Sequence, residues 1–172
     1  MIKGLKKETI INYLMTFGFE FSIMLITIWL FRLVNIKYES VGFAEYSINK
    51  RTVGFLMPLL MMGLGVSLPK FLASSGKKEQ LSIHYSALLL VTLFCLLFSI
   101  IIFLGSEYFS QLIFGDYDHE KMLLVVLFYV LSLMYHATVY NYFRGKFNYK
   151  VSSILQLINL GFLPLITYFI AD

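Results

Sequence analysis

The sequence predicts an all-α fold, a polytopic bundle of membrane-spanning helices. The chain has 172 residues, of which 59% are hydrophobic and 14% are charged, whereas soluble domains are about 45–50% apolar and about 25% charged. Its mean hydropathy is +0.77. Several runs without a charged residue are long enough to cross a hydrocarbon core, which needs about 18 residues or more. A soluble globular protein and a disordered chain are therefore both excluded.

Four charge-free runs and one nearly charge-free run mark the helices in order along the chain. The first run is apolar throughout except for Glu20 and Arg32. A span in lipid must satisfy its own backbone hydrogen bonds, and residues 87–98 lack the alternation of a barrel strand, so each span is predicted to be helical. One bundle covering residues 1–172 results, with five spans: 10–34, 45–71, 82–105, 121–143 and 151–170.

The distribution of Lys and Arg predicts the orientation. With the N-terminus placed in the cytoplasm, nine of the 14 basic residues lie inside: Lys3, Lys6, Lys7, Lys70, Lys77, Lys78, Arg144, Lys146 and Lys150. Four lie outside, and these are Lys37, Lys50, Arg51 and Lys121. Short cytoplasmic loops are enriched in basic residues, so a cytoplasmic N-terminus is predicted. The net charge of +4 is then a topology signal, and a nucleic-acid partner is not expected.

No pattern of residues predicts an enzyme, a cofactor or a metal site. His84, His119 and His136 fall in separate segments without the spacing of a metal site. A glycine-rich phosphate loop, a nucleophile elbow and a pair of catalytic acids are all missing from the sequence.

Charged residues within or beside the spans are the first candidates for function, because a charge in lipid is costly unless it is paired or hydrated. Glu20 lies near the middle of the first span. It either faces a water-filled cavity, where it would take part in ion coupling, or pairs with a neighbouring helix or the headgroups. Arg32 lies twelve residues later, about 18 Å along the axis and on another face, so the two cannot pair. Arg32 is a candidate for substrate binding or a snorkelling anchor.

The second predicted span begins with the basic pair Lys50 and Arg51. These residues either anchor the helix at the interface or form a cationic rim that attracts an anion such as phosphate. The same span contains Pro58, Gly63 and Gly65. Proline removes a helical hydrogen bond, so a kink is predicted there. Kinked helices often line transport pathways, but simple close packing is the alternative.

Two segments of the chain resemble bacterial polysaccharide flippases, the Wzx-like O-antigen and capsule exporters of the MOP (MATE-like) superfamily. Residues 41–73 resemble their first outer loop and second helix, and residues 142–159 resemble their loop between helices four and five. The first segment matches a pattern of G-x-x-x-Y, a basic pair, a central proline and G-L-G-x-x-x-P-[KR]. The matching residues are Gly42, Tyr46, Lys50, Arg51, Pro58, Gly63, Leu64, Gly65, Pro69 and Lys70.

The resemblance implies the N-terminal part of a transporter with 12 to 14 helices, truncated within its first six-helix half. Such proteins move undecaprenyl-diphosphate-linked oligosaccharide across the bacterial plasma membrane by alternating access. The implied partners are this lipid-linked substrate, membrane lipids, and other polysaccharide-assembly proteins or a missing second half. Lys50 and Arg51 would belong to a cationic cavity that suits the diphosphate. Arg32, a charged residue within the first span, is added as a further candidate for this cavity, and Glu20 as a candidate for ion coupling.

Two other functions remain open at this stage. A MATE-like exporter of cations or drugs would need a cavity dominated by carboxylates. The candidate residues here are one carboxylate, Glu20, and three cations, Arg32, Lys50 and Arg51. A membrane scaffold without transport would have no polar cavity shared among the spans.

Overall fold

The computed structural model describes residues 7–115 and 119–170, and these residues contain helices and turns but no strand. The elements in chain order are α1 (Lys7–Met61), α2 (Leu64–Ser74), α3 (Lys77–Leu104), α4 (Ser106–Phe114), α5 (Glu120–Gly145), α6 (Tyr149–Gln156), a π-helical segment (Leu157–Phe162) and α7 (Leu163–Ile170). The last three elements run on without a break. We call them together the C-terminal helix, residues 149–170.

The described residues confirm the prediction of an all-α fold, and four of their helices are long and apolar enough to cross a membrane. They are Ile10–Met61, Lys77–Leu104, Glu120–Gly145 and Tyr149–Ile170. Many of their large apolar side chains are exposed, as expected of a lipid-facing surface. The first of these helices contains both predicted spans 10–34 and 45–71.

Helix α1 is bent sharply at Glu39, whose backbone angles are φ 56° and ψ −163°. The ring of Phe31 lies 6.0 Å from that of Phe43 and 5.3 Å from that of Tyr46. Fifteen residues of straight helix would separate Phe31 from Tyr46 by about 22 Å. The chain therefore folds back at Glu39, and we call residues 7–38 the first arm and residues 40–61 the second arm.

The bend at Glu39 replaces the loop that the sequence places between the first two spans. The backbone is helical on both sides of Glu39, and Glu39 is the one residue inside α1 with non-helical backbone angles. Gly42 permits it, since a Cβ at that position would lie 2.6 Å from the Cβ of Tyr38. A side chain there would push the two arms apart.

The predicted second span is interrupted at Met62 and Gly63, which take positive φ values of 43° and 80°. Helix α1 ends at Met61 and α2 begins at Leu64, so residues 45–71 do not form one continuous helix. Pro58 lies four residues before the interruption, inside α1 and exposed. Gly65 packs on α5, where a Cβ would lie 3.8 Å from the Nδ2 of Asn141.

Helix α5 forms the centre of the bundle. Its buried residues recur every three or four positions, as expected for a helix that packs on several neighbours: Leu123, Val126, Leu127, Val130, Met134, Thr138, Asn141 and Gly145. The main apolar cluster joins it to the second arm of α1 and to α3 through Val53, Met61, Val91, Cys95, Val126, Val130 and Met134.

One end of the bundle collects the turns that carry basic residues. A Cβ at Gly145 would lie 2.7 Å from the Cβ of Leu72 and 2.9 Å from the Cα of Pro69. The turn between α2 and α3 and the turn between α5 and α6 therefore lie side by side. Their cations are exposed: Lys70, Lys77, Lys78, Arg144, Lys146 and Lys150.

A short helix, α4, occupies the opposite end, where the sequence predicts an acidic outer loop. It begins at Ser106, whose hydroxyl donates a hydrogen bond of 3.3 Å to the carboxylate of Glu120. Two acidic residues of that predicted loop, Asp116 and Asp118, lie outside the described residues, as do Lys3 and Lys6.

Candidate functional site

Two clefts share three lining elements, the first arm of α1, α5 and the C-terminal helix, and one of them is also lined by the second arm of α1. One contains Arg144 and has a volume of 480 Å³; the other contains Lys50 and has a volume of 570 Å³. The first takes residues 12–16 of α1 and 140–144 of α5, whereas the second takes residues 30–38 and 122–129. The two clefts therefore lie towards opposite ends of the bundle, and we call them the Arg144 cleft and the Lys50 cleft.

The Lys50 cleft lies beneath the bend at Glu39 and receives residues from both arms of α1. The lysine Nζ donates a hydrogen bond of 3.1 Å to the hydroxyl of Tyr129. The same Nζ lies 5.4 Å from the centre of the Tyr129 ring and 5.8 Å from that of Tyr46. Such cation–π contacts stabilise an ammonium group away from bulk water. Lys50 is thus half-buried and fixed in position.

Two polar atoms beside Lys50 are available to a ligand. The buried hydroxyl of Tyr46 and the Oδ1 of Asn49 have no hydrogen-bond partner among the described residues. Both residues line the cleft, together with Glu45, Asn159 and the apolar side chains of α5 and the C-terminal helix. Buried polar groups are costly when they are unpaired, so a bound molecule or water would satisfy them.

The structure does not gather the three predicted cations in one cavity. Lys50 lines its cleft, but Arg51 is exposed, one residue and about 100° further around the helix. Arg32 is also exposed, and it lies between the cleft-lining residues Leu30 and Val34 in sequence, on another face of the first arm. Neither Arg51 nor Arg32 is among the residues that line the Lys50 cleft.

The Arg144 cleft is lined by hydroxyl, amide and guanidinium groups. Its residues are Asn12, Tyr13, Thr16, Tyr140, Arg144, Phe147, Tyr149 and Ser152. The guanidinium carbon of Arg144 lies 5.5 Å from the centre of the Tyr140 ring, one helical turn earlier. This contact directs an exposed arginine along the wall of the cleft.

Glu20 extends the polar face of the first arm beyond the Arg144 cleft. Asn12, Thr16 and Glu20 follow each other at intervals of four residues, so they share one face of the helix. The carboxylate of Glu20 and the guanidinium of Arg144 both act electrostatically on the hydroxyl of Tyr140. Glu20 is exposed. It does not line the cleft, and it follows Thr16 by about one helical turn on the same face of the first arm.

A tight contact between the first arm and the C-terminal helix separates the two clefts. A Cβ at the buried Gly161 would lie 3.3 Å from Ile26 and 3.9 Å from Ile23. We call these three residues the seam. Gly161 belongs to the π-helical segment Leu157–Phe162, and such segments are rare and frequent at functional sites. The seam lies between residues 12–16 and 30–38 of the first arm, which line the two clefts.

Sequence reasoning missed the aromatic partners of the cations. It counted Tyr46 within a motif but did not single out Tyr129, which is 79 residues away from Lys50. It also treated Arg144 as a topology signal. The i, i+4 spacing of Tyr140 and Arg144 was the available sign, since residues so spaced lie on one helix face. Among the described residues, no group of three His, Cys, Asp or Glu side chains is placed to hold a metal ion.

Comparisons with known proteins do not place the chain in a family. No family model matches it, and no curated protein or solved structure matches it significantly.

Proposed function

We propose that the chain is the N-terminal part of a flippase for undecaprenyl-diphosphate-linked oligosaccharide in the bacterial plasma membrane. The observation that carries the proposal is the pair of clefts. They share three elements, lie towards opposite ends of the bundle, and each contains a cation. A transporter that works by alternating access needs polar sites that are reached from opposite sides of the membrane.

The bend at Glu39 supports a count of five membrane crossings. The first arm has 32 residues and the second arm 22, so each is longer than the roughly 20 residues that one crossing needs. The arms fold back on each other, as the contacts of Phe31 show. Counted separately, they join α3, α5 and the C-terminal helix in a five-span bundle that would be most of one six-helix half of a MOP-type transporter.

The position of the basic turns supports a cytoplasmic N-terminus. The turns between α2 and α3 and between α5 and α6 lie together at the end where the first arm begins. Their six exposed cations favour the cytoplasmic side of a membrane. On this assignment the Arg144 cleft faces the cytoplasm and the Lys50 cleft faces the outside.

The chemistry of the Lys50 cleft suits a diphosphate group linked to a polar glycan. Lys50 supplies a fixed positive charge, and the neighbouring Arg51 would bring a guanidinium, which can bind two phosphate oxygens at once. The unpaired Tyr46 hydroxyl and Asn49 Oδ1 offer hydrogen bonds to sugar hydroxyls. Glu20 would bind a cation at the other side of the seam, which is the role expected of an ion-coupling residue.

Replacing Lys50 with Met in the bacterium that makes the protein tests the proposal. Methionine keeps the apolar stem but removes the charge, so we expect surface polysaccharide to fall about tenfold or more, as for the loss of one partner of a hydrogen-bonded charge. Lipid-linked oligosaccharide should accumulate on the cytoplasmic leaflet. Arg51→Ala is a second variant and should give a smaller loss.

Lys78→Met is the matched control, because Lys78 is an exposed lysine at the other end of the bundle. It should leave export unchanged. Normal surface polysaccharide with Lys50→Met at equal protein level would contradict the flippase assignment. Loss of polysaccharide without accumulation of the lipid-linked precursor would instead favour a scaffold that supports synthesis.

A further inference from the structure

The Arg144 cleft carries chemistry that is separate from the predicted Lys50, Arg51 and Arg32 site. It lies at the other end of the bundle and shares no residue with the Lys50 cleft. Its volume of 480 Å³ falls within the range of about 300–1,000 Å³ that is usual for small-molecule sites. A volume of this size accommodates a charged headgroup rather than a single ion.

The Arg144 cleft has hydroxyl groups and a guanidinium among its aromatic walls. Thr16 and Tyr13 come from the first arm, Tyr140 and Arg144 from α5, and Tyr149 from α6. The guanidinium presents five N–H groups in a planar fork that fits two oxygens of a phosphate. Hydroxyl groups from three elements thus line the same cleft as the guanidinium, and all of them can donate hydrogen bonds to phosphate oxygens.

The turn after α5 is held so that it closes one side of the cleft. Phe147 takes φ 57°, a left-handed conformation that is costly for a bulky side chain. The following Asn148 accepts a hydrogen bond of 3.3 Å from the amide of Val151 and so caps α6. This turn brings Phe147 and Tyr149 to the cleft wall.

The neighbouring cations differ from Arg144 in where they point. Lys146 donates a hydrogen bond of 3.2 Å to the hydroxyl of Tyr142 and lies 4.9 Å from its ring centre. It is not among the residues that line the cleft. Lys150 is exposed and adds to the positive field at this end. Only Arg144 among these three cations is directed into the cleft.

We propose that the Arg144 cleft binds a phosphate ester, the headgroup of an anionic lipid or a free phosphate compound, with Arg144 as its main ligand. Basic clefts between helices at a membrane surface favour such headgroups. The phosphate sits between Arg144 and the hydroxyls of Thr16 and Tyr140. Glu20 follows Thr16 by one helical turn on the same face of the first arm, so its carboxylate repels an anion that moves along this face beyond the cleft. This binding does not depend on transport activity.

The test uses the whole chain purified in a neutral detergent, with dioctanoyl phosphatidic acid as the probe and uncharged dioctanoylglycerol as its control. The probe's Kd is measured by native mass spectrometry. Arg144→Gln should raise this Kd about tenfold, since it removes a charge-assisted bidentate contact. Lys146→Gln, the matched control, should change it by less than about twofold. Thr16→Val, from the other wall, should raise it by about threefold.

Glu20→Gln gives the opposite sign and separates a binding role from a folding role. It removes a repulsive charge, so the Kd of phosphatidic acid should fall about threefold. A variant that only disturbed the fold would weaken binding. Thermal unfolding midpoints of all variants are measured in the same detergent, and the exposed position of both Arg144 and Glu20 predicts little change.

Competition by inorganic pyrophosphate separates the two sources of the ligand. Displacement of phosphatidic acid by millimolar pyrophosphate shows that the phosphate group alone is sufficient. Arg144-dependent lipid binding without such displacement supports a lipid-borne phosphate. If Arg144→Gln and Lys146→Gln weakened the binding of phosphatidic acid equally, the effect would come from general surface charge, and the proposal would be overturned. Unchanged binding with Arg144→Gln, or weaker binding with Glu20→Gln, would also overturn it.

Discussion

The two clefts share three helical elements but hold their cations in different ways. The Lys50 Nζ is half-buried, and Tyr129 accepts its hydrogen bond at 3.1 Å while two tyrosine rings flank it. Arg144 is exposed and has one ring, Tyr140, at 5.5 Å. The first cation is fixed in an apolar setting, whereas the second remains free to meet a charged molecule from solvent. The role of a basic residue thus depends more on its surroundings in the fold than on its position in the sequence.

Helices α5 and α2 pack closely at the Arg144 end of the bundle, so a substitution that disturbs this contact should reduce stability. A comparable substitution in the arm that carries Lys50 should not. Gly145→Ala places a Cβ 2.7 Å from Leu72 and 2.9 Å from the Cα of Pro69. Backbone is involved, so the helices must separate, and we expect a loss of roughly 2–3 kcal/mol in the free energy of unfolding. The thermal midpoint in detergent measures it.

Gly54→Ala serves as the matched control for this substitution. No atom lies within 4 Å of the Cβ that would be added at Gly54. Alanine favours a helix over glycine, so this variant should be as stable as the parent or more stable. A similar midpoint for both variants would mean that the close approach of α2 and α5 does not hold in solution.

The hydroxyl that fixes Lys50 should contribute more to stability than the corresponding hydroxyl beside Arg144. Tyr129→Phe keeps the ring but leaves the Lys50 ammonium without its acceptor. Hydrogen bonds to charged groups contribute about 1.5–3 kcal/mol, so a loss of about 1.5 kcal/mol is expected.

Tyr140→Phe is the comparison for that loss, and it should cost less than about 0.5 kcal/mol because Arg144 is exposed to water. Chemical unfolding of the two variants in the same detergent gives both values. An equal cost for the two tyrosines would remove the distinction between a fixed cation and a free one.

A substitution of Glu39, at the bend beside the Lys50 cleft, should stabilise the protein. Glu39 has φ 56° and ψ −163°, a region that glycine occupies far more readily than other residues. Glu39→Gly is therefore expected to raise the free energy of unfolding by about 1 kcal/mol. Ser40→Gly, one residue later in regular helix, should lower it by about 0.5–1 kcal/mol. A loss of stability with Glu39→Gly would show that the bend does not have this geometry.

Much of the fold follows from the sequence because charge-free apolar runs are long and have a single explanation in lipid. The helices over residues 82–105, 121–143 and 151–170 were predicted within a few residues of α3, α5 and the C-terminal helix. The region around residue 39 was not, since Lys37 and Glu39 read as a polar loop. In the structure the chain reverses direction at the single residue Glu39. The composition of this region does not show whether the reversal uses one residue or a loop of ten.

The interruption at Met62 shows a second limit. Pro58, Gly63 and Gly65 predicted a kink, but three candidate residues do not say where the helix stops. The position depends on how α2 packs against α5, through contacts such as Gly65 with Asn141. These contacts join residues that are far apart in the chain.

The site residues were harder to predict than the helices. Lys50 was singled out as a cation, but its distance to Tyr129 depends on how the second arm of α1 meets α5. Arg144 was read only as a marker of orientation. Asn12 and Thr16 are polar residues within the first span that could line a hydrophilic interior, but a hydroxyl or amide in a span also serves to join helices.

The last helix completes both clefts, and this sets an order for assembly. The rings of Phe31 and Tyr46 are 15 residues apart in sequence, so the hairpin of the two arms closes a short loop and can form early. By contrast, the hydroxyl of Tyr168 donates to the carbonyl of Leu33, 135 residues away. During synthesis the first arm must therefore wait, with its polar face unpaired, until the C-terminal helix has been made. A ribosome-bound chain that ends before residue 149 would have a formed hairpin but neither cleft.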